Sequence, residues 1–150
     1  MVQSEEITKK KALQYVKKIS KNRLYHSDTI YKKLLERYNS SIAREVIEDL
    51  KKENFLKDEE YINRLISLYI VKGYGKYRFK RILYIKGISQ ENANLYSLRM
   101  EREAAKNAFR SAYNKCQKYP KEVKNKKIID KLSYLGFSKE TINYIIFKEG

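Results

Sequence analysis

Phe79-Lys80-Arg81-Ile82-Leu83-Tyr84-Ile85-Lys86-Gly87-Ile88-Ser89 sets an apolar residue, a Leu four later, a Gly four after that and a Ser two further on. The same skeleton stands 49 residues earlier as Ile30/Leu34/Tyr38/Ser40, and 49 residues later as Ile128/Leu132/Gly136/Ser138. Apolar residues four apart share one face of a helix, a turn residue lets the chain reverse, and Ser caps the helix that follows. The unit is helix, short turn, helix, present in triplicate. Repeats of this length mean stacked helical modules, each too small to bury its apolar face alone. The spacing predicts a surface to offer rather than one deep catalytic pocket.

Working outward, periodicity predicts nine helices and no strand. The first runs from about Glu5 to Ile19 with Ala12, Leu13 and Val16 inward, and Ser27 caps the second, with Ile30 and Leu34 buried. The third starts near Ser40 or Ser41 and carries Ile42, Ala43, Val46, Ile47 and Leu50. Asp58-Glu59-Glu60 opens the fourth, where acids complement the helix dipole, and Tyr61, Ile62, Leu65, Ile66, Tyr69 and Ile70 form its stripe. Gly73-Tyr74-Gly75 breaks the chain before the fifth; Gly87 ends that helix and Ser89 begins the sixth, with Glu91 in its first turn. A seventh, near 101–118, carries Ala104, Ala105, Ala108, Phe109, Ala112 and Tyr113 and is stopped by Pro120, the only proline. Ile128, Ile129, Leu132 and Leu135 mark the eighth; Gly136 ends it, and Ser138 caps a ninth with Ile142, Ile145 and Ile146. The expected architecture is all-α: three tandem three-helix modules, about 5–55, 56–98 and 99–150, forming an elongated, curved array within a single domain. Its weakest joints fall near Asn54–Lys57 and Leu98–Glu101.

One cysteine, Cys116, rules out an intrachain disulfide and fits a reducing compartment. No apolar run reaches a membrane span, and Gln3, Ser4, Glu5 and Glu6 are not a signal-peptide core, so the expected setting is cytoplasmic, with no membrane partner.

The net charge is +16, from 34 Lys and Arg against 18 Asp and Glu. A composition rich in Lys, Ile, Asn and Tyr follows from an A+T-rich genome, but that bias does not explain the scarcity of acids. The imbalance is local: residues 61–100 hold eight basic side chains and a single acid, Glu91, whereas 41–60 hold four against seven. A stretch nearly free of carboxylates favours a polyanionic partner, a nucleic acid or an acidic protein groove.

The fifth helix is the candidate contact surface. With Phe79 at zero and 100° per residue, Ile82 and Leu83 fall within about 60° of it and face inward. Tyr77, Lys80, Arg81 and Tyr84 lie opposite, between about 100° and 200°. Cations neutralise phosphates or meet carboxylates, and tyrosines stack on bases or offer hydroxyls. Lys72 and Lys76 flank the glycine turn and Arg78 borders the face. The competing reading is a solvated face whose tyrosines pack on the next module.

Other constellations point away from catalysis. Gly73-Tyr74-Gly75 follows no strand and precedes no Gly-Lys-Ser/Thr, so it is not a phosphate loop. His26 has no second His, Cys cluster or acid pair beside it in the sequence, so neither a metal nor a general-base role is expected. Cys116 sits among lysines but lacks a His partner. The carboxylates Glu45, Glu48, Asp49, Glu53, Asp58, Glu59 and Glu60 lack the Glu-x-x-His pairs of a di-metal bundle and are expected in intermodule salt bridges and helix starts. No cofactor is expected.

Lys72-Gly73-Tyr74-Gly75, Arg78-Phe79, Ile82-Leu83 and Lys86-Gly87-Ile88-Ser89 together resemble the RecX family's stretch K/R-G-Y-G-P-x-R-I … L-x-x-K-G-I-S. Asn54-Phe55-Leu56-Lys57-Asp58-Glu59-Glu60-Tyr61 is similar to the family's G-Y-L-D-D-x-R-Y/F, and Arg23, His26-Ser27 and Ile30 through Leu34 to R-x-H-S-x-x-E-L-x-x-K-L. Leu135-Gly136-Phe137-Ser138 with Ile142 matches the third module, so the likeness spans nearly the whole chain. Lys76 stands where the family has Pro, Lys57 for the first Asp of a pair and Asn54 for a Gly. The resemblance implies a small regulator of the RecA recombinase, a crescent of three modules lying along the groove of the RecA–DNA filament. It would lower strand exchange and ATP turnover with no chemistry of its own. Implied partners are the RecA filament and single- or double-stranded DNA, with the regulator a monomer. On that reading Tyr74, Lys86 and Arg23 join the fifth-helix residues in the contact set. The alternative is a stand-alone, sequence-nonspecific nucleic-acid-binding protein.

Overall fold

A computed structural model describes residues 2–149, and among these it shows eight α-helices and no strand. They are α1 (Val2–Ile19), α2 (Ser27–Leu35), α3 (Ser40–Lys52), α4 (Asp58–Lys72), α5 (Lys76–Ile85), α6 (Gln90–Lys115), α7 (Lys121–Tyr134) and α8 (Lys139–Glu149). The all-α expectation holds. The count differs because the sixth and seventh expected helices are one: α6 runs unbroken for 26 residues through the joint expected at Leu98–Glu101. No Gly or Pro stands between Gln90 and Lys115, so nothing in that stretch stops an α-helix. Pro120 opens α7 as its N-cap residue rather than ending α6, which already closes at Cys116.

The described residues divide between Asn63 and Arg64 into two compact units. In the first, α1, α2 and α3 pack around Ala12, Val16, Ile30, Leu34, Ala43, Val46, Ile47 and Leu50. In the second, α5, α7 and α8 each lie on α6. Ala93, Ala104, Ala105, Ala108 and Ala112 bury that central helix's small side chains and let its neighbours approach closely. The repeat is visible in burial: Ile30/Leu34, Phe79/Leu83 and Ile128/Leu132 are all essentially inaccessible, whereas Ile129 on α7 is 39% exposed.

The turns show what a glycine changes. Gly87 and Gly136 take left-handed φ values of 94° and 95°. The residue after each donates back five positions, Ile88 to Leu83 and Phe137 to Leu132, the Schellman closure of a helix. In the first copy Tyr38 stands at the glycine's position and donates four back, to Leu34 at 2.7 Å, where Gly87 and Gly136 donate three back. The next helix consequently begins one residue early: Asn39, not Ser40, caps α3, its side chain accepting from Ile42 N–H at 2.9 Å. Asn54, where the family places Gly, has φ 56°, a conformation Asn tolerates better than most side chains.

His26, not Ser27, is the N-cap of α2. It is 1% exposed and its Nδ1 accepts from Asp28 N–H at 3.0 Å. Asp58, the first residue of α4, accepts from Ser27 N–H at 2.8 Å and from the Ser27 hydroxyl at 2.5 Å. Folding thus brings two acids to the imidazole that the sequence held apart, Asp28 at 3.7 Å and Asp58 at 3.6 Å. The serine hydroxyl donates to the carboxylate rather than to the ring, so the trio ties two helix starts together and lacks the serine–imidazole bond that nucleophile activation requires. No group of three or more His, Cys, Asp or Glu suited to a metal occurs among the described residues. The acidic face of α3 spends itself inside this unit, Asp49 on Lys9 at 2.8 Å and Glu53 on Lys17 at 3.9 Å, and not in the intermodule bridges expected.

Burial holds the His26 pKa below its usual value; Asp58 and Asp28 only partly oppose that, and Lys51 adds to it. The unfolded chain therefore binds the proton more readily, and stability is full above the unfolded value of about 6.5 and falls as pH drops below it. Substituting His26→Asn keeps a capping acceptor and removes the titration. Urea unfolding of the wild type is expected to shift to lower midpoint between about pH 7.5 and about pH 5, and the variant to lose most of that shift.

Candidate functional site

The start of α5 is fixed by backbone rather than by side chains. Gly75, its N-cap residue, donates its N–H to Leu135 O at 2.8 Å, and Tyr77 N–H reaches Gly136 O at 2.9 Å. Unsatisfied N–H groups at one helix start thus meet unsatisfied carbonyls at the end of α7, with the two helix dipoles in favourable register. The chains cross so closely that a Cβ on Gly75 would lie 2.3 Å from Gly136 C and Phe137 N. A Cβ on Gly136 would lie 2.7 Å from both the backbone N and Cβ of Arg78. The glycine stretch that reads as a helix break is also a docking point.

From there α5 projects its two faces as the 100° wheel predicts. Phe79 and Leu83 are buried, while Tyr77 and Tyr84 are 56% and 64% exposed. Tyr77, Lys80, Arg81 and Tyr84 line a shallow hollow of about 440 Å³ with Gln90 and Ala93 of α6. The structure therefore brings together the two cations and two tyrosines that the sequence put on one face. Gln90 and Ala93 were not foreseen, because helical periodicity within α5 says nothing about which residues of another helix complete its surface.

The remaining candidates divide by what they already touch. Arg78 lies between two rings, its guanidinium 4.2 Å from Tyr74 and 5.3 Å from Tyr134. Tyr74 also stacks on Tyr69 at 5.4 Å, so it belongs to a packed aromatic row that continues to Phe79. Lys76 Nζ is 3.8 Å from the buried carboxylate of Glu101, whose other oxygen accepts from Ser138 N–H at 3.1 Å. That lysine, in the place of the family's proline, neutralises an internal acid. Lys72, the exposed last residue of α4, lies over Tyr69 at 5.2 Å. Lys86 is the half-buried C-cap of α5. Arg23 belongs to the first unit, exposed in the loop before α2, with its guanidinium 5.1 Å from Tyr25.

Comparison with known proteins bears on this arrangement. No protein-family model matches the chain. The chain is 31% identical over 145 residues to "Regulatory protein RecX" of Clostridioides difficile (strain 630), covering 89% of this chain and 68% of that protein. The chain belongs to the RecX family. Its fold matches "Crystal structure of RecX from Lactobacillus salivarius" with a TM-score of 0.67 at 21% identity, over 93% of this chain and 95% of that one. It also matches "Crystal structure of regulatory protein RecX" with a TM-score of 0.67 at 18% identity, over 98% and 74%. The RecX relative is named a regulatory protein, and no helix among the described residues is long and apolar enough to cross a membrane.

In RecX terms, the Gly-Tyr-Gly motif is the turn that docks the start of α5, Ile88 closes its end, and Ser89 caps α6. Gly75→Ala is expected to cost about 2 kcal/mol or more, since backbone atoms of the facing turn must move. Gly136→Ala adds left-handed backbone strain to a clash of its own and costs at least as much. Urea denaturation followed by circular dichroism measures both; midpoints equal to wild type would refute the crossing.

Proposed function

We propose that the protein is a non-catalytic regulator that binds the RecA–DNA filament along its groove and lowers strand exchange and ATP turnover. Membership of the RecX family supports a regulatory role, and RecA is the recombinase that the family resemblance implies. The observation that carries the site is the α5 face: two half-exposed tyrosines and two cations around one hollow, in a stretch of chain holding a single acid. Cations of that kind engage phosphates or acidic protein, and tyrosines add contact area at low entropic cost. Lys80, Arg81, Tyr77 and Tyr84 make the main contact, Lys72 and Lys86 extend it, and Arg23 makes a contact of its own on the first unit. Arg78, Tyr74 and Lys76 hold the face in place. The repeats at about 5–55 and 99–150 reach neighbouring protomers of a filament while 56–98 carries the central contact, and the regulator works as a monomer in the cytoplasm.

The same charge supports a second reading, a nucleic-acid-binding protein that needs no recombinase. Co-sedimentation with recombinase filaments on DNA, compared with DNA alone, separates the two.

Changing Lys80 and Arg81 together to Ala is expected to preserve helicity, weaken filament binding about tenfold and reduce the salt slope by about 1 per lost phosphate contact. Recombinase ATPase inhibition that is undiminished in the double variant would remove α5 from the interface.

A further inference from the structure

A larger hollow of the second unit, about 740 Å³, shares no lining residue with the one on α5 and is formed by the end of α4, the last turns of α6, and α7. Its floor is small and uncharged: Ala108, Ser111, Ala112 and Cys116, with Leu135 beside them. One wall is set by Gly73, whose left-handed turn passes so near α6 that a Cβ there would sit 3.3 Å from that of Ala108. Its lining also includes Lys72, Lys115, Lys118, Lys127 and Lys131, all exposed, against one acid, Asp130. Among the described residues none of these five lysines forms an ion pair. Lys118 and Lys127 instead lie over the half-buried ring of Tyr119, at 5.3 and 4.6 Å.

Five like charges converging on one hollow repel one another, and an anion entering it relieves that repulsion. The cations also come in series. Lys127 and Lys131 are one turn apart on α7, about 6 Å along the axis, while Lys115 ends α6 and Lys118 stands in the turn after it. Such a series suits a chain of anions better than a single one. The hollow has the volume of a small-molecule cleft, and a duplex whose major groove alone is about 12 Å wide cannot enter it. A single strand can, with its sugars on the small floor and a base beside Tyr119.

We propose that this lysine-rimmed groove between α6 and α7 holds a segment of single-stranded nucleic acid, its phosphates on Lys115, Lys118, Lys127 and Lys131 and its backbone passing over Cys116. Its lining shares no residue with the hollow on α5, and the groove can be filled whether or not the α5 face engages a filament. It was not legible in the sequence, where these lysines belong to three different stretches and Cys116 reads as a bystander.

Cys116, the only cysteine of the chain, is a built-in reporter for the floor of the groove. The experiment measures maleimide labelling of the full chain with and without an oligothymidylate of about 15 nucleotides, a duplex of equal length, or poly-glutamate. The single strand is expected to slow labelling about fivefold or more, with the duplex and the polypeptide protecting much less. The variant Lys118→Gln/Lys127→Gln/Lys131→Gln is expected to lose the protection and to lower the salt slope of strand binding by about 2. Lys80→Gln/Arg81→Gln should leave Cys116 protection unchanged, which separates this site from the α5 face. Should the triple variant misfold by circular dichroism, the three ligands compared on the wild type decide the matter. The proposal fails if the oligothymidylate does not bind, if it binds without shielding Cys116, or if poly-glutamate shields it equally well.

Discussion

The second unit depends on one contact between two helix ends, where the first N–H groups of α5 give their hydrogen bonds to the carbonyls of Leu135 and Gly136. Backbone pairs of this kind leave no room for side chains, so both partners must be glycine, and the distances a Cβ would meet say as much. A helix held at its start by two backbone bonds has neither freedom to roll nor freedom to slide. Its buried pair, Phe79 and Leu83, then completes the core, and Tyr77, Lys80, Arg81 and Tyr84 emerge together on the other side. The face proposed for contact is in this sense a consequence of the crossing.

The first unit meets the same requirement with different chemistry. His26 and Gly75 stand 49 residues apart and are the N-cap residues of α2 and α5. Two residues into the sequence register, Asp28 N–H and Tyr77 N–H are the equivalent orphan donors of those helices. One is satisfied by an imidazole nitrogen and the other by a carbonyl of a distant turn. Side-chain capping couples the first unit to proton concentration, because a buried ring accepting at Nδ1 is held neutral. Backbone capping in the second carries no such coupling.

Charge is distributed along similar lines. In the first unit, carboxylates of α3 are used on lysines of α1, a pairing that is half exposed and worth little on its own. In the second, Glu101 is buried and serves two partners at once, the start of α8 and Lys76. With that acid withdrawn from the surface, Lys80 and Arg81 on α5 form no ion pair among the described residues, and five lysines of the groove by α6 and α7 face one acid, Asp130.

The sequence by itself determined the helical class, the 49-residue repeat, the buried pairs of each copy, the left-handed glycines at 87 and 136, and the face that α5 would expose. These are local matters, set by periodicity, by turn sterics and by capping chemistry within about ten residues. It placed the α3 start correctly near Ser40 but gave its cap to Ser40 rather than Asn39, because Tyr38 lacks the left-handed turn that glycine makes at that position in the other copies. It split α6 in two, because a repeat suggests a boundary that the chain has no residue to enforce. Only the tertiary structure decided that Gly75 meets Gly136, that Asp58 reaches Ser27, that Glu101 withdraws Lys76, and that lysines from α4, α6 and α7 rim one groove. The three pairs join residues about 25 or more positions apart and the groove gathers lysines from three helices or their ends, and such partners are chosen by how helices pack, which no local pattern encodes.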